Sequence, residues 1–101
     1  MFGLKKSKDN NDKNEWFDVW PKGEAASNMD ESLNRLIKVA EEKDMDVAVT
    51  LVQGSRFVHI SSSEEKVSSL VNELGSDSYS FRESDKSRIP TYKAALKERK
   101  K

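Results

Sequence analysis

The sequence predicts an α+β fold in which a four-stranded antiparallel sheet carries two helices on one face. Runs of alternating apolar and polar residues flank Gly54-Ser55, and they predict a β-hairpin over about residues 46–61. Two other segments repeat apolar residues at the i, i+3, i+4 and i+7 spacing of an amphipathic helix. Short alternating runs at residues 15–20 and 78–82 complete a β-α-β-β-α-β order.

Aromatic residues, strand-ending proline and glycine, and helix-capping residues predict the bounds of the first strand and the first helix. Residues 15–20 alternate and are rich in aromatic side chains, and Pro21 and Gly23 then end the predicted strand. Ser27 or Asn28 is expected to cap the helix that follows, with an acidic residue three positions later as in a capping box. Its apolar stripe comprises Leu33, Leu36, Ile37 and Ala40.

The hairpin and the second helix follow in order. A two-residue turn at Gly54-Ser55 predicts four cross-strand pairs: Leu51 with Val58, Val49 with Ile60, Val52 with Phe57, and Thr50 with His59. Ser62 and Glu65 have the spacing of a capping box, and Gly75 is expected to end the second helix. The stripe of this helix comprises Val67, Leu70, Val71 and Leu74. Pro90 is expected to open a short basic helix.

This order of elements resembles the ferredoxin-like sandwich, which implies the strand order 4-1-3-2. We expect a disordered arm at residues 1–14, one α+β domain at residues 15–82, and a linker with the basic helix at residues 83–101. The predicted sheet residues of the core are Phe17, Val19, Val47, Val49, Leu51, Val58, Ile60, Tyr79 and Phe81. A core of this size suits one small domain.

Composition restricts the classes of function. The 101 residues are 36% charged with a formal net charge of zero, so no overall basic field attracts nucleic acid. The absence of cysteine excludes disulfides, a thiolate nucleophile and cysteine-ligated metal, and it suits a cytoplasmic protein. No apolar run reaches the length of a membrane span and no signal peptide is recognised, so no membrane partner is expected.

The sheet face opposite the helices is the predicted binding surface. The residues expected there are Trp16, Trp20, Thr50, Val52, Phe57 and His59. Three interpretations stay open: the last helix covers this face through Ile89, Tyr92 and Leu96, a second copy or a partner protein docks on it, or single-stranded nucleic acid stacks on it.

The nucleic-acid interpretation depends on a resemblance to RNA-recognition-motif domains, which carry stacking aromatics on the two central strands. Trp16 or Trp20 would correspond to one such aromatic and Phe57 to another. Phosphate contacts are then expected from Arg56, Arg82, Lys97, Arg99 and Lys100.

Catalysis is not expected from these residues. His59 is the single histidine, and on a strand opposite a threonine it is interpreted as an ordinary sheet residue. Asp18, between two tryptophans, is expected to have a raised pKa, and one carboxylate does not make a metal site. We therefore expect a non-catalytic protein-interaction domain without cofactor, metal or small-molecule substrate, and single-stranded nucleic-acid binding is the alternative.

Overall fold

A computed structural model describes residues 14–100. The elements are β1 (Glu15–Pro21), α1 (Glu24–Ser27), α2 (Met29–Glu42), β2 (Asp46–Val52), β3 (Ser55–Ser62), α3 (Glu64–Leu74), β4 (Tyr79–Glu83), a 3-10 turn (Lys86–Arg88) and α4 (Ile89–Arg99). The arm expected at residues 1–14 lies, apart from Asn14, outside the described residues, and so does Lys101 at the other end.

The chain has an α+β fold with one four-stranded sheet among its described residues, as predicted. Every pair of neighbouring strands is antiparallel, and the strand order is β2-β3-β1-β4. Strands β3 and β1 are therefore central, and β2 and β4 form the edges. The order brings β1 between two strands that come much later in the chain.

The hairpin register differs from the prediction by two residues. The turn is formed by Gln53 and Gly54, both with positive φ, at 52° and 85°. Positive φ at both central residues is the signature of a type I′ turn, which matches the twist of the flanking strands and favours glycine second. The observed pairs include Val49 with Val58, Thr50 with Phe57, and Ala48 with His59.

A shift of two residues keeps every side chain on its predicted face but changes its neighbours. Leu51 shows the difference, because it lies opposite Arg56 beside the turn and is 71% exposed. Its predicted place in the core was wrong. Val49, by contrast, packs against the core from the middle of β2.

The helix boundaries follow capping chemistry in part, and two predicted caps are corrected. The Ser63 hydroxyl, and not that of Ser62, accepts the hydrogen bond from the Lys66 backbone N–H at 3.3 Å. Gly75 ends α3 with φ of 121°, where glycine is strongly favoured, as predicted. The cap expected from Ser27 or Asn28 was wrong, because Ser27 ends the single turn of α1 and Asn28 precedes α2 without a side-chain cap hydrogen bond.

Two apolar clusters lie on opposite faces of the sheet. The main core joins α2 and α3 to one face, and its buried members include Leu36, Ile60, Leu70, Val19 and Val58. The smaller cluster joins α4 to the other face through Trp16, Ala48 and Tyr92, with Ile89, Ala95 and Leu96 packed against them. Helix α4 therefore covers part of the face that lies opposite α2 and α3.

Candidate functional site

Helix α4 divides the second sheet face into a covered part and an open part. Trp16, near the start of β1, is 6% exposed, and its ring centroid lies 5.8 Å from that of Tyr92. Trp20, at the other end of the same strand, is 38% exposed. The two tryptophans were predicted on one face and do share it by strand periodicity, but they have different environments.

Three apolar side chains remain exposed on the open part: Trp20, Val52 and Phe57, which we call the uncovered patch. Val52 is 49% exposed and Phe57 is 47% exposed. They converge because β1 ends where β3 begins and because the Gln53-Gly54 turn brings β2 back beside Phe57. All three line one surface depression, together with Thr50, Arg82 and Arg88.

A polar network lies between the uncovered patch and α4, with His59 at its centre. The His59 ring bonds through Nδ1 to Asp18 Oδ1 and through Nε2 to Thr50 Oγ1, each over 2.8 Å. Ser84 Oγ donates to Asp18 Oδ1 at 2.7 Å, and Arg82 Nε donates to Asp18 Oδ2 at 3.3 Å. We call these five residues the His59 network.

Burial and hydrogen bonding together fix the proton positions in this network. Desolvation lowers the pKa of His59, against the opposing effect of the Asp18 carboxylate, so the ring is neutral at pH 7. A carboxylate only accepts hydrogen bonds, so Nδ1 of the neutral ring carries the proton toward Asp18. Nε2 is then the acceptor, and the Thr50 hydroxyl donates to it.

Asp18 has a lowered pKa, which corrects the expectation of a raised one. Burial alone would raise the pKa of this carboxyl, but hydrogen bonds from Ser84 and His59, with a further one from Arg82, more than offset that effect. The flanking tryptophans favour a raised pKa for Asp18, but β3 and the β4 segment bring hydrogen-bond donors to the same side of the sheet, and their combined effect is larger.

Tyr92 of α4 covers the His59 ring of the network. Its ring stacks on His59 with centroids 3.6 Å apart and an interplanar angle of 13°. Burial, followed by the negative charge of Asp18, raises the pKa of the Tyr92 hydroxyl. Tyr92 faces the sheet, as predicted. Its stacking on His59 was not predicted, because residue spacing does not indicate the angle at which α4 crosses the sheet.

The order Thr50 hydroxyl, His59 imidazole and Asp18 carboxylate is the donor order of a nucleophile, base and orienting acid. His59 is 4% exposed and lies beneath the Tyr92 ring. No buried side-chain polar atom in the described part of the chain lacks a hydrogen-bond partner. His59 is covered, Arg82 reaches solvent, and the hydrogen bonds of the network connect β1, β2, β3 and the β4 segment.

The predicted phosphate contacts do not come together. Arg56 points to the helix side of the sheet, where its guanidinium bonds Asn34 Oδ1 at 3.0 Å and Asp30 Oδ1 at 3.3 Å. Arg99 pairs with Glu41, and Lys100 with Asp46 at 3.2 Å. Lys97 lies in the same last turn of α4. Of the five predicted residues, Arg56 and Arg82 line the depression that holds the uncovered patch, and Arg82 is the one whose guanidinium lies beside the Trp20 ring.

Arg88 is a basic residue of this region that the sequence interpretation missed. It ends the 3-10 turn just before α4 and lines the same depression as Trp20 and Phe57. Its position depends on how the chain turns after β4, and Asp85 fixes that turn by accepting from the Ser87 backbone N–H at 3.0 Å. An Asx-type turn after a strand was the signal that could have located it.

Within residues 14–100 there is no cluster of three or more histidine, cysteine or acidic side chains that could hold a metal ion. In the same range, no helix has the length and apolar character needed to cross a membrane. Comparison with protein-family models, with curated proteins and with solved structures gives no match.

Proposed function

We propose that this chain is a small, non-catalytic interaction domain that binds a partner protein through the uncovered patch. The observation that carries the proposal is the exposure of Trp20, Val52 and Phe57, at 38%, 49% and 47%, on a sheet face that α4 covers elsewhere. Aromatic side chains are favoured anchors of protein interfaces, and contiguous exposed apolar patches commonly mark interaction sites.

The distribution of exposed apolar residues supports the same conclusion. The exposed large hydrophobic side chains among the described residues are Trp20, Met29, Leu51, Val52 and Phe57. Leu51 lies opposite Arg56, whose guanidinium bonds the backbone oxygen of Asp30, next to Met29. The exposed apolar side chains therefore gather at the hairpin end of the domain instead of scattering over its surface.

The arrangement of the sheet supports a ferredoxin-like plan as part of this proposal. Counted from β4, the strand order is β4-β1-β3-β2, and α2 and α3 pack on one face. In such a plan the two packing helices leave the other face uncovered, and here α4 occupies only part of that face. We also propose a cytoplasmic setting, which the lack of cysteine supports.

Single-stranded nucleic acid is the second candidate for the same patch. One observation favours it: the Arg82 guanidinium lies 5.8 Å from the centre of the Trp20 ring. An arginine beside an aromatic ring suits a base and its phosphate. The remaining predicted basic residues lie on the other face or at the far end of α4, which weakens this candidate.

Site-specific photo-crosslinking tests the proposal. A photoreactive phenylalanine analogue would replace Phe57 on the patch, with the exposed Asn72 on α3 as the control position. We expect a discrete protein adduct from position 57 that is absent from position 72 and that Trp20→Ser weakens. An adduct of twice the chain mass would identify self-association, and an adduct to RNA or DNA would favour the second candidate. Identical products from both positions would overturn the proposal.

A further inference from the structure

The sheet has a gap at its hairpin end, between the end of β1 and the start of β3. We propose that this gap receives a short extended segment of the partner protein, whose backbone pairs with Arg56 in the place that Pro21 leaves open. The inference rests on the proposed function, because it names how a partner contacts the surface that contains the uncovered patch.

The ladder between β1 and β3 ends before either strand does. Its last pair is Val19 with Val58, although both strands extend further. Hydrogen-bonded positions alternate along antiparallel strands, so the next bonded pair would be Pro21 with Arg56. Proline has no backbone N–H and cannot donate to the Arg56 carbonyl. Pro21 lies instead opposite Tyr79 of β4 on its other side.

Among the described residues, the backbone N–H and C=O of Arg56 have no strand partner. Val52 and Ser55 flank the two-residue turn as a bonded pair, and the alternation from there directs Phe57 toward β2 and Arg56 toward β1. Within residues 14–100, no backbone hydrogen bond from another segment replaces the missing pair. A donor and an acceptor on one residue are the groups with which an extended peptide pairs when it adds to a sheet.

The gap opens into the depression that contains the uncovered patch. Trp20 and Phe57 line this depression from one sheet face, and Met29 and Leu33 of α2 line it from the other, so it reaches both faces of the sheet at this end. An extended segment beside Arg56 directs its successive side chains to opposite faces. Its side chains then contact the two aromatic rings on one face and Met29 on the other.

The charges in the depression are balanced, and this balance suits an uncharged segment. Three arginines and three aspartates line the depression, and two of each form ion pairs, Arg56 with Asp30 and Arg82 with Asp18. No net charge therefore selects an anionic or a cationic ligand, whereas the apolar side chains beside the gap favour apolar ones. The expected segment is extended and uncharged, with aromatic or aliphatic side chains.

The test is amide hydrogen exchange of the full-length protein, followed by NMR, with peptides selected from a random library by their binding to it. Without peptide, the amide protons of Arg56 and Leu51 should both exchange rapidly, because neither has a backbone acceptor within residues 14–100. A bound peptide should slow exchange at Arg56 by about tenfold or more and leave Leu51 unchanged. Leu51 is the matched control, since its N–H points away from β3 at the outer edge of β2. Peptides that protect Leu51 instead of Arg56 would overturn the inference.

Pro21→Val provides a second measurement on the same gap. Valine supplies the missing N–H and allows the β1–β3 ladder to close on Arg56. We expect the Arg56 amide to become protected without peptide, and the peptide affinity, measured by fluorescence anisotropy, to fall about tenfold. Pro90→Val makes the same change at the start of α4 and should alter neither quantity. Full peptide affinity in a Pro21→Val variant whose Arg56 amide is already protected would overturn the inference.

The outcomes separate the inference from the proposed function. Peptides that lose affinity in Phe57→Ser but leave the Arg56 amide unprotected would overturn the inference and leave the proposed function in place. If no selected peptide depends on Phe57, both fail. Protection of Arg56 that appears without peptide as the protein concentration rises would assign the gap to a second copy and overturn the inference. An oligothymidine strand that protects Arg56 and displaces the peptides would overturn it in favour of nucleic acid.

Discussion

His59 and Asp18 join the two central strands through a 2.8 Å bond between Nδ1 and Oδ1, although 41 positions separate them in the chain. Register explains the contact, because Asp18 lies directly opposite His59 on the face away from α2 and α3. The same carboxylate also accepts from Ser84 and Arg82 of the β4 segment. One aspartate therefore links three strands on one side of the sheet.

We expect Asp18→Asn to destabilise the protein by about 2 kcal/mol, because an amide cannot accept from all three donors and leaves Arg82 without its counter-charge. Urea unfolding followed by circular dichroism measures the change. Asp77→Asn removes the same charge from an exposed loop position and should alter stability little. Equal stability of the two variants would contradict the bracing role of Asp18.

The lowered pKa of His59 predicts a pH-dependent stability. Below the ordinary histidine pKa of 6.5 the unfolded chain binds a proton that the folded protein does not, so stability falls as pH decreases from 6.5 toward the folded pKa. Asp18, whose folded pKa is also lowered, causes a second loss below 3.8. Because His59 is the single histidine, its pKa is directly measurable by NMR titration.

His59→Gln supplies the control for that pH dependence. Its unfolding midpoint should change less between pH 7.5 and pH 5.5 than that of the unaltered protein, since the titrating group is gone. A histidine pKa at or above 6.5 in the folded protein would contradict the assignment of a neutral, desolvated ring.

The Tyr92 ring attaches α4 to the sheet through its contacts with His59 and Trp16. Tyr92→Ala removes the stack on His59 and the contact with Trp16, and we expect a loss of about 3 kcal/mol with red-shifted tryptophan fluorescence as Trp16 meets water. Tyr92→Phe keeps the ring and should cost less than about 1 kcal/mol. Equal losses in the two variants would show that the hydroxyl dominates.

A substitution in the Gln53-Gly54 turn is expected to stabilise the protein. Gln53→Asn should raise stability by about 0.5 kcal/mol, since asparagine adopts positive φ more readily and Asn-Gly is the favoured type I′ pair. Gly54→Ala should lower stability by about 1 kcal/mol through backbone strain alone, because an added Cβ would meet no atom within 4 Å. Thermal unfolding of both variants checks the turn type, and a stabilising Gly54→Ala would refute it.

The periodicity of apolar residues was sufficient to predict the strands and helices. It was not sufficient to predict the hairpin register, which depends on the geometry of the turn. The alternation around Phe17 and Val19 and the stop at Gly75 are determined by neighbouring residues, so the sequence indicated them well. The hairpin register depended on whether Gly54 is the first or the second turn residue, and both choices place the same side chains on each face. Leu51 was misplaced for that reason alone.

The site was harder to predict because its contacts join distant segments. Pairing Asp18 with His59 requires the register of β1 against β3, and adding Ser84 requires that of β1 against β4. The separation of Trp16 from Trp20 requires the course of α4, whose single buried residue is Tyr92. These relationships are tertiary, and no spacing within one element encodes them.

The central position of β1 has a consequence for how the protein folds and opens. Strand β1 precedes the other described elements in the chain, yet it is the one that connects the β2–β3 hairpin to β4. The hairpin can form early through its two-residue turn, whereas both ladders of β1 must close long loops first. We expect the amide protons of Phe17 and Val19 to exchange with solvent only through global unfolding, because opening β1 divides the sheet into two pieces. Native-state hydrogen exchange would then report one cooperative unit, with β1 as the strand whose insertion completes it.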